Sequence, residues 1–182
     1  RLSSWDRLDS AGYNIPSNSN QVLLLNPIRA DYQFTGQRLE FYLQDQWTIQ
    51  ISDKKSFSIL GGIRGNYWSI NKEFFVSPRL QMIYKTNPKT SFYAAVGSYN
   101  QTPFIREMIN ERGQLITNVK SQKSLHYIAG VDVIMRILKR PFKFTTEAYY
   151  KHMWDVNTYQ YNNVLVRYAA KNNVIAYARG FD

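Results

Sequence analysis

The chain has 182 residues, of which 44% are hydrophobic and 15% aromatic, and carries a net charge of +10. The aromatic content excludes a disordered chain, and the longest unbroken apolar runs, five residues at 92–96 and 174–178, exclude a spanning helix, which needs about 20. With no cysteine, disulfide scaffolds, thiolate metal sites and cysteine nucleophiles drop out.

From the N-terminus, 1–38 reads as a long connection, with no charged-then-apolar export segment after Arg1. Period-two alternation then takes over. Phe41, Leu43, Asp45, Trp47, Ile49 and Ile51 form one row of a strand predicted over 39–51, and Tyr42, Gln44, Gln46, Thr48 and Gln50 form the other. Successive side chains in a strand point to opposite faces, so one face is oily and the other wet. Asp45 departs from its row, and it is placed near an interface or after a bulge. The turn residues Ser52, Asp53, Lys54 and Lys55 lead into a strand over 56–68. After a connection at 69–77, strands at 78–86 and 90–100 flank Asn87, Pro88 and Lys89. A long connection at 101–123 follows. Strands at 124–138 and 142–154 then flank Lys139, Arg140 and Pro141, with Leu125, Tyr127, Ala129, Val131, Val133, Met135 and Ile137 in one apolar row. A further connection at 155–172 precedes a strand that is still in progress at Asp182. Both ends read as cut, so the chain is expected to be a piece of a longer protein.

No stretch repeats apolar residues at helical spacing, so the fold class is all-β. The strands run for about 11–15 residues, against a usual 5–6 in globular sheets. Short turns on one rim and long loops on the other is the organisation of outer-membrane barrels. Aromatic residues agree: Phe57, Phe92 and Phe142 follow short turns, with Tyr67, Tyr99 and Tyr150 further along the same strands. Ten tilted residues rise about 25 Å, the height of a barrel's apolar band between two aromatic girdles.

Several segments resemble one family. Phe41-Tyr-Leu-Gln-Asp-Gln-Trp47 is similar to the Y-x-Q-D-x-W strand of TonB-dependent outer-membrane receptors, and Leu60-Gly-Gly-Ile-Arg-Gly-Asn-Tyr67 to their G-x-R-x-x-Y strand. Val76-Ser-Pro-Arg-Leu80 resembles their S-P-R-x segment, and Tyr93-Ala-Ala-Val-Gly-Ser-Tyr-Asn-Gln-Thr-Pro103 a strand ending in Y-x-Q-x-P. Glu147-Ala-Tyr-Tyr-Lys151 resembles E-x-Y-Y-K, and Ala178-Arg-Gly-Phe-Asp182 resembles A-x-G-x-E with Asp for Glu. The resemblance implies an antiparallel transmembrane β-barrel segment, seven or eight strands of a barrel of about 22 with a plugged lumen. It implies residues 1–182 as part of one barrel domain, without the plug that carries the TonB box or the C-terminal strands. It further implies the cell outer membrane as location and energy-coupled uptake of a scarce, bulky nutrient such as a siderophore, cobalamin, glycan or peptide. The expected partners are outer-membrane lipid, the TonB complex acting through the plug, and a surface lipoprotein.

Alternation assigns Tyr42, Gln44, Gln46, Arg64, Asn66, Arg79, Gln81, Lys85, Asp132, Arg136, Glu147 and Lys151 to the lumen, because Lys or Arg facing lipid at mid-depth costs about 2–4 kcal/mol. Hydration and plug contact are the ordinary work of such a row. Substrate contact is expected on the long connections, at Phe104, Arg106, Glu107 and Arg112 in one and Trp5 and Tyr13 in the other, since loops on a rigid scaffold commonly bind. No enzyme is expected and no cofactor or metal site is read. The two histidines, His126 and His152, lie on different strands without a spaced carboxylate partner, and Gly61 and Gly62 sit inside a strand rather than in a phosphate loop.

Three other readings compete. A basic β-protein could bind nucleic acid, but the cations are dispersed and often in turns, at Lys54, Lys55, Lys89, Lys139 and Arg140. A complete eight-stranded barrel with a structural or adhesive role is the second. A soluble carbohydrate-binding sandwich using Trp5, Trp47, Trp68 and Trp154 is the third, disfavoured by strand length.

Overall fold

The computed structural model describes residues 7–9, 13–14, 23–24, 28–30, 32–33, 35–162 and 165–182. Two small antiparallel ladders come first. In these, β1 (Arg7–Asp9) pairs with β4 (Ile28–Ala30), and β2 (Tyr13–Asn14) pairs with β3 (Leu23–Leu24). The remaining strands are β5 (Arg38–Ser52), β6 (Lys55–Trp68), β7 (Glu73–Asn87), β8 (Thr90–Gln101), β9 (Gln122–Ile137), β10 (Arg140–Asn162) and β11 (Leu165–Phe181). They form one seven-stranded sheet in which each strand pairs antiparallel with its neighbour in sequence. Strands β5 and β11 are its edges, so the described strands do not close into a small barrel.

Register decides the two faces, because residues directly opposite in a ladder share a side. Trp47, Ile59, Met82, Ala94, Ala129, Ala148 and Phe181 lie in one row from edge to edge. A neighbouring row on the same face carries Ile49, Phe57, Tyr84, Phe92 and Val131. Nothing in the described chain covers this face: Trp47 is 59% exposed. Among the described residues the buried hydrophobic side chains are Met108, Val119 and Ala170, none of them within this face. An apolar surface of that extent needs a non-aqueous cover.

Two expected connections are corrected. The segment 69–77 is mostly strand, because β7 begins at Glu73 and pairs with Trp68. The segment 155–172 is also strand: β10 and β11 pair through Asn162 and Leu165, with register shifts between Met153 and Tyr159. Turn-forming residues such as Asp155 and Asn157 are accommodated as irregularities of a long hairpin, with Asp155 at a φ of 54°. Short turns therefore occur on both rims. Residues 102–121 form the one long connection between strands of the sheet. It contains a short 3-10 helix, Ile105–Met108.

Two further details depart from expectation. Asp45 follows no bulge, since β5 and β6 stay in unbroken register from Arg38 to Gln50. It lies mid-strand on the apolar face opposite Gly61, with its carboxylate accepting the Gln46 amide at 2.8 Å. Tyr99 is on the face opposite Phe92, because a separation of seven residues reverses the side chain at period two. It stacks on His126 across the ladder instead of joining an aromatic girdle.

Candidate functional site

The 102–121 connection and the far end of the β10–β11 hairpin build a compact cap on one rim, which we term the loop rim. Strand β9 stops pairing with β10 at Lys123 and Trp154, so β10 runs on past the sheet. There Asn157 and Asn172 oppose each other across β10 and β11. The Asn157 amide donates to the Glu107 carbonyl at 3.1 Å, and its oxygen accepts the Lys171 amide at 3.2 Å. Asn172 accepts the Lys120 amide at 2.7 Å and donates to the carbonyls of Lys120 at 2.9 Å and Asp155 at 2.8 Å. The base is held by Glu73. Its carboxylate accepts the Ser121 amide at 2.7 Å, the Ser121 hydroxyl at 2.6 Å and the Asn71 side chain at 2.6 Å. Met108 and Val119 of the connection form a small core with Ala170 of β11, and Trp68, Ile70, Leu115 and Ile116 pack against it.

Within this cap the residues expected to contact substrate separate by role. Phe104 is 64% exposed, and Arg112, eight residues on, is exposed too, as a side chain free to meet a ligand must be. Arg106 sits 5.5 Å over the Tyr168 ring and donates to the Tyr168 hydroxyl at 3.3 Å. Glu107 is only 7% exposed. Its carboxylate accepts the Phe104 amide at 2.9 Å and closes the 3-10 turn, so it supports the cap from within. Trp5 and the Tyr13 side chain lie outside the described residues.

The other face of the sheet is polar, and all the residues read as lumen-facing share it by register. Tyr42 is opposite Arg64, Gln44 is in row with Arg79 and Lys151, Gln46 with Gln81, and Lys85 with Asp132. Asn66, Arg136 and Glu147 occupy the same side. Glu40 links Arg38 and Arg64 at 2.6 and 2.5 Å, Asp132 holds Lys143 at 3.0 Å, and the Tyr93 hydroxyl donates to Glu147 at 2.9 Å. A sheet with one uncovered oily face and one salt-bridged polar face has the amphipathicity of a barrel wall standing in lipid.

The sequence profile of the TonB dependent receptor-like β-barrel family matches residues 2–182, nearly the whole chain. The chain belongs to that family. No curated protein and no solved structure matches it.

TonB-dependent receptors are transporters of the outer membrane, which accounts for the oily face: lipid is its cover. Among the described residues no helix is long and apolar enough to cross a membrane, and the crossing elements of this family are strands. Nor is there among them a cluster of three His, Asp or Glu residues suited to a metal. In this receptor wall His126 is on the polar face and His152, opposite Leu125, on the apolar one, so the two cannot converge on one ligand.

Sequence reasoning missed Asn157, Asn172, Glu73 and Tyr168, which organise the loop rim. Single polar residues in strand-like or turn-like stretches carry no signal of partners 48 to 62 positions away. One weak cue existed for Tyr99: its odd separation from Phe92 already places it on the other face.

Proposed function

We propose that this chain is part of the barrel of a receptor that imports a scarce, bulky nutrient by TonB-coupled active transport. Siderophores, cobalamin, glycans and peptides are the candidate substrate classes. The observation that carries the reading is the family match over 2–182 on a sheet with one lipid-ready face. The plug with its TonB box and the strands that complete the barrel belong, on this reading, to other parts of the protein. The polar face is then the lumen wall, with Tyr42, Gln44, Gln46, Arg64, Asn66, Arg79, Gln81, Lys85, Asp132, Arg136, Glu147 and Lys151 facing water and plug.

Substrate is first met at the loop rim. Phe104, Arg106 and Arg112 are the contacts we assign to the 102–121 connection, with Trp5 and Tyr13 from the opening segment. A surface lipoprotein docking over this rim is the further partner. The test is uptake of labelled candidate nutrients by cells carrying the full receptor, with and without a functional TonB complex. Uptake should fall to background without TonB, and the triple variant Phe104→Ala/Arg106→Ala/Arg112→Ala should bind substrate more weakly. Uptake that continues unchanged without TonB overturns the reading.

A further inference from the structure

On the polar face, one cross-strand row carries Gln44, Gly62, Arg79, Gly97, His126 and Lys151 on successive strands. The Arg79 guanidinium lies 4.5 Å over the ring of Tyr99, which stacks on His126 with centroids 4.4 Å apart. The Lys151 ammonium lies 5.1 Å from the Tyr149 ring. Neither Arg79 nor Lys151 has a carboxylate partner among the described residues. The acids of this face are already engaged, Glu40 by two arginines, Asp132 by Lys143 and Thr145, and Glu147 by Tyr93. Among the described residues Arg79 and Lys151 therefore stand without a paired acid, as do Lys85 and Arg136 nearer the short-turn rim, and what sets the first two apart is the Tyr99–His126 stack between them.

Space accompanies the charge. Gly62 and Gly97 flank Arg79 in the row, and the bare Gly97 leaves room for the Tyr99 ring to fold over it beneath the Arg79 guanidinium. A hollow of about 800 Å³ opens there, its lining including Glu40, Tyr42, Gln44, Arg64, Arg79 and Tyr99, with the Glu40 carboxylate held by Arg38 and Arg64. That is within the size range of small-molecule sites. Arg79 and Lys151 are three inter-strand steps of about 4.8 Å apart, so their long side chains can serve two anionic groups of one molecule. Arg suits bidentate carboxylate recognition and Lys acts as a point charge.

We propose that this row is a binding strip for a substrate bearing several carboxylates, with Arg79 and Lys151 as the charge contacts and the Tyr99–His126 stack as the flat wall between them. The proposal rests on the import reading and narrows its substrate class to an anionic compound. The strip lies below the loop rim, so it takes the substrate after the first contact at Phe104, Arg106 and Arg112.

The test is calorimetric titration of the purified full receptor in detergent with citrate as probe and its neutral trimethyl ester as control. Citrate should bind at low salt, more weakly as salt is added, and the ester should not bind. The double variant Arg79→Gln/Lys151→Gln should lose about tenfold or more in citrate affinity. Lys54→Gln, a charge change in the β5–β6 turn, should leave it unchanged. Failure of citrate to bind, equal binding of the ester, or undiminished affinity in the double variant overturns the proposal. So does a double variant that melts at lower temperature while binding citrate as before, which would make the cations struts for another part of the protein. The titration needs no energy coupling, so its failure is separable from failure of TonB-dependent uptake.

Discussion

Asn157 and Asn172, opposed across β10 and β11, hold the 102–121 connection at both ends, one through the Glu107 carbonyl and the other through the Lys120 backbone. The long connection is thereby fastened to a hairpin that outruns the rest of the sheet. Replacing both by alanine leaves the Glu107 carbonyl, in a buried hydrogen bond, without its partner at about 1–3 kcal/mol, and releases the exposed Lys120 backbone to water. Hydrogen exchange across 102–121 should accelerate by about tenfold or more, while strands β5 to β8 keep their protection. Unchanged exchange in the connection would show that the asparagines are incidental.

Glu73 anchors the same connection at its C-terminal end. Ser121 is fully buried, and its amide and hydroxyl both donate to the one carboxylate. Glu73→Ala should cost about 2–3 kcal/mol locally, since hydrogen bonds to a charged group are the stronger kind. Limited proteolysis should then cut within 102–121 faster than in the parent, with Glu73→Gln between the two. Equal cleavage rates in all three proteins would remove Glu73 from this role.

The two faces of the sheet make opposite predictions for the same substitution. Ala129 is in the middle of the apolar row and Gln81 on the polar face. Ala129→Lys should destabilise the receptor in lipid by about 2–4 kcal/mol, whereas Gln81→Lys should be nearly neutral. Urea unfolding in lipid vesicles measures both. A larger loss at Gln81 would reverse the assignment of faces.

The β9–β10 turn carries correctable strain. Leu138 and Lys139 have φ values of 50° and 63°, the left-handed region that a two-residue type I′ hairpin demands at both positions. Neither residue suits it, and Asn-Gly is the preferred pair. Leu138→Asn/Lys139→Gly should raise stability by about 1 kcal/mol, visible as slower unfolding in urea. A faster-unfolding double variant would mean that the exposed Leu138 makes a contact that outweighs the backbone gain.

Much of the fold was readable because strand alternation is a local property. The turn at 52–55 and the rows through Phe41 and Leu125 need only a chain's nearest neighbours in sequence. The segment 155–172 was not readable for the opposite reason. Asp155, Asn157, Asn162 and Asn172 carry turn chemistry, yet pairing with the partner strand and the Asn side-chain bonds override that local preference. Glu107 likewise looked available for a ligand, and only the folded chain reveals that its carboxylate closes the turn on which it sits.

The length, the +10 charge and the alternation of this chain determined an all-β, amphipathic wall of long strands, and its motifs pointed to one receptor family. Period two is imposed by backbone geometry, so it is legible wherever one face must be oily and the other wet. Register, and everything that register brings together, was decided by tertiary structure alone. It placed Arg79, Tyr99, His126 and Lys151 along one row and Asn157 opposite Asn172. A one-residue slip between strands would turn every side chain to the other face, and what resists that slip is the sum of contacts across all seven strands, which no single segment contains.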